Sequence, residues 1–207
     1  MLLITALVAT AFRQDAAQAA VVLTVPTTGH DSTLIAVNAT AFQVFTPASS
    51  PSWKLDSLQL NQFRSAGYQD GYDPNTSVFT LRVFDSSGPQ IGSDVVGTVS
   101  NFVVPNFGYW TVTFNLTNAN LLVQGNSHFS YQVISTDPSK VALLLRSSVT
   151  DMGTGWKTGG SYDVNNNLGG PSTGSLTLSA SAVPEPSALS LLGIGLAALA
   201  VMRRRRA

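Results

Sequence analysis

The sequence predicts an all-β fold, a single β-sandwich of jelly-roll type, with a short apolar segment at each end of the chain. Three observations carry that expectation. Apolar residues alternate with polar ones over several runs of five to eight residues, the period of a half-buried strand. Turn-forming clusters separate these runs. Ser, Thr, Asn and Gly are abundant while Lys and Glu are scarce, a composition that favours strands over long helices. No segment before Ala188 shows a helical period.

The strands are read in chain order. Trp53–Leu60 is a short candidate, followed by Val78–Phe84, with Phe79, Leu81 and Val83 on one face. Val95–Val99 is short. The clearest is Tyr109–Leu116, with Trp110, Val112, Phe114 and Leu116 inward and Thr111, Thr113 and Asn115 outward. His128–Ile134 alternates through Phe129, Tyr131 and Val133; Val141–Arg146 follows. Asp70-Gly71, Asp73-Pro74-Asn75, Ser87-Gly88-Pro89 and Gly125-Asn126 supply the turns. Asp151–Gly174 is rich in Gly and Asn and is expected to be a long loop with one short strand at Ser161–Val164. Ser175–Ser179 is the last strand. Many short strands with regular turns fit a sandwich, with an up-and-down barrel as the alternative.

The ends differ from this pattern. Leu2–Phe12 is an apolar run followed by Ala17-Gln18-Ala19, an A-x-A cleavage pattern, so residues 1–19 read as a secretory signal peptide. Its basic n-region is missing, which predicts a true start upstream of Met1. The expected ectodomain is 20–182 and the C-terminal segment 183–207. That segment reads Val183-Pro184-Glu185-Pro186, then an uncharged apolar stretch Ala188–Met202, then Arg203, Arg204, Arg205 and Arg206. As a helix, the apolar stretch spans about 22 Å against a hydrocarbon core of ~30 Å, a shortfall that local thinning can accommodate. The arginines stay cytoplasmic under the positive-inside rule, which puts the ectodomain outside the inner membrane.

This end resembles the PEP-CTERM sorting signal of Gram-negative bacteria through Pro184-Glu185-Pro186, the apolar helix with Gly193 and Gly195, and the terminal arginine cluster. The resemblance implies a transmembrane sorting helix, transient inner-membrane anchoring, recognition and cleavage near the motif by an exosortase, and release to the cell surface or an exopolysaccharide and biofilm matrix. The ectodomain is weakly similar to the choice-of-anchor surface domains. That likeness runs through Phe45-Thr46-Pro47, Trp53–Leu60, Phe79–Gly88, Tyr109–Leu116 and Ser130–Val133, and it implies a sandwich without catalytic residues to carry over.

Charge and chemistry narrow the function. Between Ala20 and Ala182 nine Asp face six basic residues, a net charge of about −3 that offers no footprint for nucleic acid. With no cysteine, thiol catalysis and disulfides are excluded. The sole glutamate is Glu185, so the carboxylate pair of a glycosidase would have to come from aspartates, most of which sit in turn contexts. Gly170-Pro171-Ser172-Thr173-Gly174 fits G-x-S-x-G in letters but lacks the strand–Ser–helix context. His30 and His128 lack metal-binding spacing. Asp163, Asn165 and Asn167 place oxygen donors at alternate positions, weak calcium ligands without the closing Glu; Asp70, Asp73 and Asn75 form a second oxygen-rich turn. The expectation is a non-enzymatic protein with no cofactor, calcium being the one compatible ion. The first function class is a structural or interaction protein of the matrix. The second is a carbohydrate-binding module, for which Trp156, Tyr68 and Tyr72 are the candidate ring platforms and Trp110 a core residue. The third, a secreted hydrolase, requires Asp56, Asp85 or Asp163 to meet His128 in one cleft.

Overall fold

The computed structural model describes residues 19–25, 30–65, 73–100, 109–147, 154–163, 169–170, 172–183 and 195. The strands are β1 Ala20–Thr24, β2 His30–Ala36, β3 Thr40–Phe45, β4 Ser52–Ser65, β5 Phe79–Phe84, β6 Gln90–Val96, β7 Thr98–Ser100, β8 Trp110–Asn115, β9 Leu122–Gln124, β10 His128–Ser135, β11 Val141–Ser147, β12 Lys157–Asp163, β13 Gly169–Gly170, β14 Ser172–Gly174 and β15 Leu176–Ala182. All lie in one compact unit, Ala19–Ala182.

Among the described residues the strands form two antiparallel sheets. One has six strands in the order β13-β12-β3-β10-β5-β6. The other has nine and is organised around the 14-residue β4, which pairs with β15, β8, β9 and β11. The first strand and the last are neighbours: Ala20 lies opposite Ala180, and Ala182 lies opposite Trp53 of β4.

The inward faces meet in one core, which makes the architecture a β-sandwich. Leu81, Val83, Phe129, Tyr131 and Val133 of the smaller sheet, and Leu58, Leu60, Val112, Phe114, Leu176 and Leu178 of the larger, are all buried. Rings cross between the sheets: Phe63 of β4 lies 5.5 Å from Phe79 of β5. Bulges explain why only part of β4 alternates. Its register against β15 shifts between Ser179 and Ala180, and against β8 between Leu60 and Phe63. Each extra residue resets which face points inward, so Leu55, Leu58, Leu60 and Phe63 are all buried despite their uneven spacing.

At one side of the sandwich the chain changes sheets without a loop. β6 ends the smaller sheet, Gly97 follows, and β7 pairs with β8 at the edge of the larger sheet. The Gly97 N–H donates to Phe79 O at 2.9 Å. A Cβ on Gly97 would lie 2.6 Å from both Phe114 Cε1 and Val112 Cγ1, so the crossing requires glycine.

The expected long loop at Asp151–Gly174 is corrected by the structure. Its described parts hold β12, which pairs with β3 over Lys157–Asp163, as well as β13 and β14. Gly159 and Gly160 belong to β12 and are accommodated by a register shift between Thr158 and Gly160, an irregularity that hid the first half of the strand from a reading by alternation, while Ser161–Asp163 falls on the short strand expected there. β14 pairs with β11 and leads into β15, so Ser172 has a strand after it and no helix, and the G-x-S-x-G letters do not form a nucleophile elbow.

Candidate functional site

Trp156 is the first sequence candidate to be corrected. It is 1 % exposed, with its ring in the core, so it is not a surface platform. Thr154 Oγ donates to Val22 O at 2.7 Å, anchoring the segment before β12, and Gly155 adopts φ +80°. The indole then packs edge-on against Trp53 of the larger sheet at 5.3 Å and Phe129 of the smaller at 6.5 Å. Trp156 therefore joins the two layers. Its flanking Gly155 and Lys157 made it look exposed. Trp110 is buried as expected.

Several candidates lie outside the described residues: Tyr68 and Tyr72, Asn165 and Asn167, Pro184, Glu185 and Pro186, Arg203 to Arg206, and the helix expected over Ala188–Met202 apart from Gly195. Asp163 ends β12 opposite Thr40. Among the described residues no three His, Asp or Glu side chains gather as metal ligands, and no helix is long and apolar enough to cross a membrane. Asp73 caps its own turn, accepting from the N–H and Nδ2 of Asn75 at 2.9 and 2.8 Å.

The structure assembles a different set of residues on the outward face of the six-stranded sheet. Strand register places Ser130 of β10 between Gln43 of β3 and Phe84 of β5, Gln132 opposite Arg82, and His128 opposite Phe45. Gln43, Phe84, His128, Ser130 and Gln132 line a depression of about 340 Å³ together with Asp85. A smaller one of about 150 Å³ adjoins it and is lined by Ile91, Val123 and Ser127, with Asp85 and His128 shared between the two.

The floor is fixed from below. Ser130 and Gln132 are 5 % and 7 % exposed although they belong to the outward face. Gln132 Nε2 donates to Asn38 O. Asn38 sits at φ +76° and clamps the end of β10: its Oδ1 accepts from Ser135 N at 2.7 Å and its Nδ2 donates to Ser135 O at 3.2 Å. Gly159 leaves room for the Gln43 and Phe45 side chains, since a Cβ there would sit 2.5 Å from Gln43 Oε1 and 2.7 Å from Phe45 Cε2.

The rim carries the charge. Asp85 Oδ1 accepts from Ser87 Oγ at 2.7 Å, Ser87 N at 2.6 Å and Gly88 N at 3.1 Å. The Ser87 hydroxyl, then its N–H, hold the Asp85 carboxyl below the ordinary carboxylate range, and His128 adds a smaller effect in the same direction. Arg82 Nε pairs with Asp94 at 3.0 Å, and Gln90 Nε2 donates to the same carboxylate at 2.8 Å. Asp85 and His128 thus share a cleft, as the hydrolase reading required, while Asp56 does not line it. Asp85 Oδ1 is engaged by its own turn, through the Ser87 hydroxyl and the N–H groups of Ser87 and Gly88. Sequence reasoning missed Gln43, Ser130 and Gln132. Their signal was their alternation with core residues, but Gln43 and Ser130 become neighbours only through the β3–β10 register.

Residues 182–206 match the PEP-CTERM protein-sorting motif. No curated protein matches the chain. Among solved structures, one similar chain is AvmM, described as catalysing macrocyclization in alchivemycin A biosynthesis. It is 10 % identical, with 84 % of this chain and 93 % of that chain covered and a TM-score of 0.27, a likeness that carries no argument. The motif begins at the residue that ends β15 and makes the chain an exported protein of the exosortase-sorted kind.

Proposed function

We propose that this PEP-CTERM protein is a non-enzymatic structural or interaction component of an exopolysaccharide or biofilm matrix. The observation that carries the reading is the order of parts: an all-β domain is followed without a spacer by the sorting motif. In this reading, the Ala188–Met202 segment holds the chain transiently in the inner membrane with Arg203–Arg206 on the cytoplasmic side. An exosortase then cuts near Pro184-Glu185-Pro186, and the sandwich passes to the surface or matrix of a Gram-negative cell. The domain itself is suited to that setting, with no thiol to oxidise and low net charge.

The test is intact-mass and fractionation analysis of the protein in an exosortase-positive host and its exosortase-deleted twin. The expected result is loss of the segment beyond about Pro186 only where the enzyme is present, with the trimmed chain in the washed matrix fraction. An intact tail in both strains overturns the sorting step. Trimmed chain found wholly in the medium overturns the matrix role.

A further inference from the structure

We infer that the outward face of the six-stranded sheet, over Gln43, Ser130, Gln132 and Phe84, is a binding cleft for a neutral, hydroxyl-rich saccharide chain. This deepens the matrix reading and rests on it. The argument begins with what the face presents. An outward sheet face needs only polar side chains that water can solvate. Here Ser130 and Gln132 are more than nine-tenths buried, at the bottom of a depression of about 340 Å³. That volume is at the lower end of the ~300–1,000 Å³ range of small-ligand sites. The adjoining depression extends it along the Asp85–His128 rim, so a chain can lie across both.

The chemistry of the lining selects the ligand class. A sugar hydroxyl both donates and accepts, and so do the side-chain amides of Gln43 and Gln132 and the hydroxyl of Ser130. Within the described residues the Gln43 amide makes no hydrogen bond, whereas one hydrogen of Gln132 is committed to Asn38 O. Gln43 is thus available to a ligand, while Gln132 is held in place for one. Phe84 in the lining supplies flat apolar surface for the C–H face of a pyranose, and the His128 ring beside it is itself packed against Phe45, with centroids 5.6 Å apart. The charges argue against an anionic polymer. Asp85 is an ionised carboxylate on the rim, and Arg82 is already neutralised by Asp94. Lys157, opposite Phe45, lies outside the lining.

The full chain in detergent is run by native affinity electrophoresis through gels containing dextran, galactomannan or alginate. Retardation by at least one neutral polymer, and none by the polyuronate alginate, is expected. Gln43→Ala and Phe84→Ala should each weaken the retardation about fivefold, the cost of deleting one neutral contact. Thr177→Ala, on the other sheet, should leave it unchanged. Melting temperatures of all three variants check that they are folded, and Gln43→Leu gives a second reading with side-chain volume kept. Absence of retardation by both neutral polymers, retardation by alginate alone, or full retardation of the folded Gln43 and Phe84 variants overturns the cleft. Matrix fractionation separates this from the broader reading. If Gln43→Ala loses gel retardation yet stays in the matrix, the cleft stands in isolation and is not what retains the protein. If the wild type is itself absent from the matrix, the matrix role fails whatever the gels show.

Discussion

Replacing Trp156 by alanine decides between its two roles, a joint between layers or a ligand platform. The indole is 1 % exposed and meets rings from both sheets at 5.3 and 6.5 Å. Truncation of a buried Trp costs about 3–5 kcal/mol, and the lost edge-on pairs, each worth ~0.5–1.5 kcal/mol beyond area, place this site in the upper half of that range. Taking about 4 kcal/mol, and 2–4 °C per kcal/mol for a domain of this size, the melting temperature should fall by roughly 8–16 °C. Trp156→Phe keeps a ring between Trp53 and Phe129 and should recover more than half of the loss. Thermal unfolding of the full chain followed by near-ultraviolet circular dichroism reads both effects. A fall under about 3 °C for Trp156→Ala, equivalent to ~1 kcal/mol, would refute the core assignment, and a simultaneous loss of polysaccharide retardation would return Trp156 to the surface.

The Asn38 clamp and the Asp85 turn give two further tests. Asn38→Ala removes both bonds to Ser135 and leaves an alanine at φ +76°, for a total of about 3 kcal/mol. Asn38→Gly relieves the backbone cost and should lose about 2 kcal/mol; denaturant midpoints that are equal for the two variants would contradict the strain argument. Asp85 titrates below its ordinary value of 3.8 in the folded chain. Its stabilising effect is therefore present above pH 3.8 and is lost as the pH falls through the lower folded value. Carboxyl carbon NMR should show the Asp85 midpoint rising toward 3.8 in Ser87→Ala, because that hydroxyl is the largest cause of the depression; an unmoved midpoint would rule it out.

Strands with unbroken alternation were legible in the sequence because one inward face is all the pattern needs: Trp110–Asn115 and His128–Ser135 lie within a residue of where the polarity puts them. β4 was read only to Leu60 because bulges reset its phase. Only the end of β12, from Ser161, was read as strand, and Lys157–Gly160 was read as loop because glycines occupy positions where a strand usually shows side chains. The misplacement of Trp156 has a related cause. Local polarity reports what flanks a residue, whereas the anchoring bond from Thr154 to Val22 spans 132 positions. The cleft was invisible for the same reason, since Gln43 and Ser130 are brought together by register and Gln132 is held by a turn at Asn38.

The pairing of the first strand with the last has a consequence for timing. β15 lies between β1 and β4, so the interior of the larger sheet is completed by the final stretch of chain before the motif. A polypeptide threaded outward from its N-terminus exposes β1 early, and among the described residues β1 has no other strand to join. Contacts spanning some 160 positions close slowly, because loop closure precedes any gain from pairing. A chain that emerges from its N-terminus is therefore an unfinished sheet until Leu176–Ala182, the last strand before the motif, has followed. Completion of the fold and arrival of the sorting motif thus fall on adjacent stretches of chain, and a domain lacking its final strand would leave β1 and β4 unjoined.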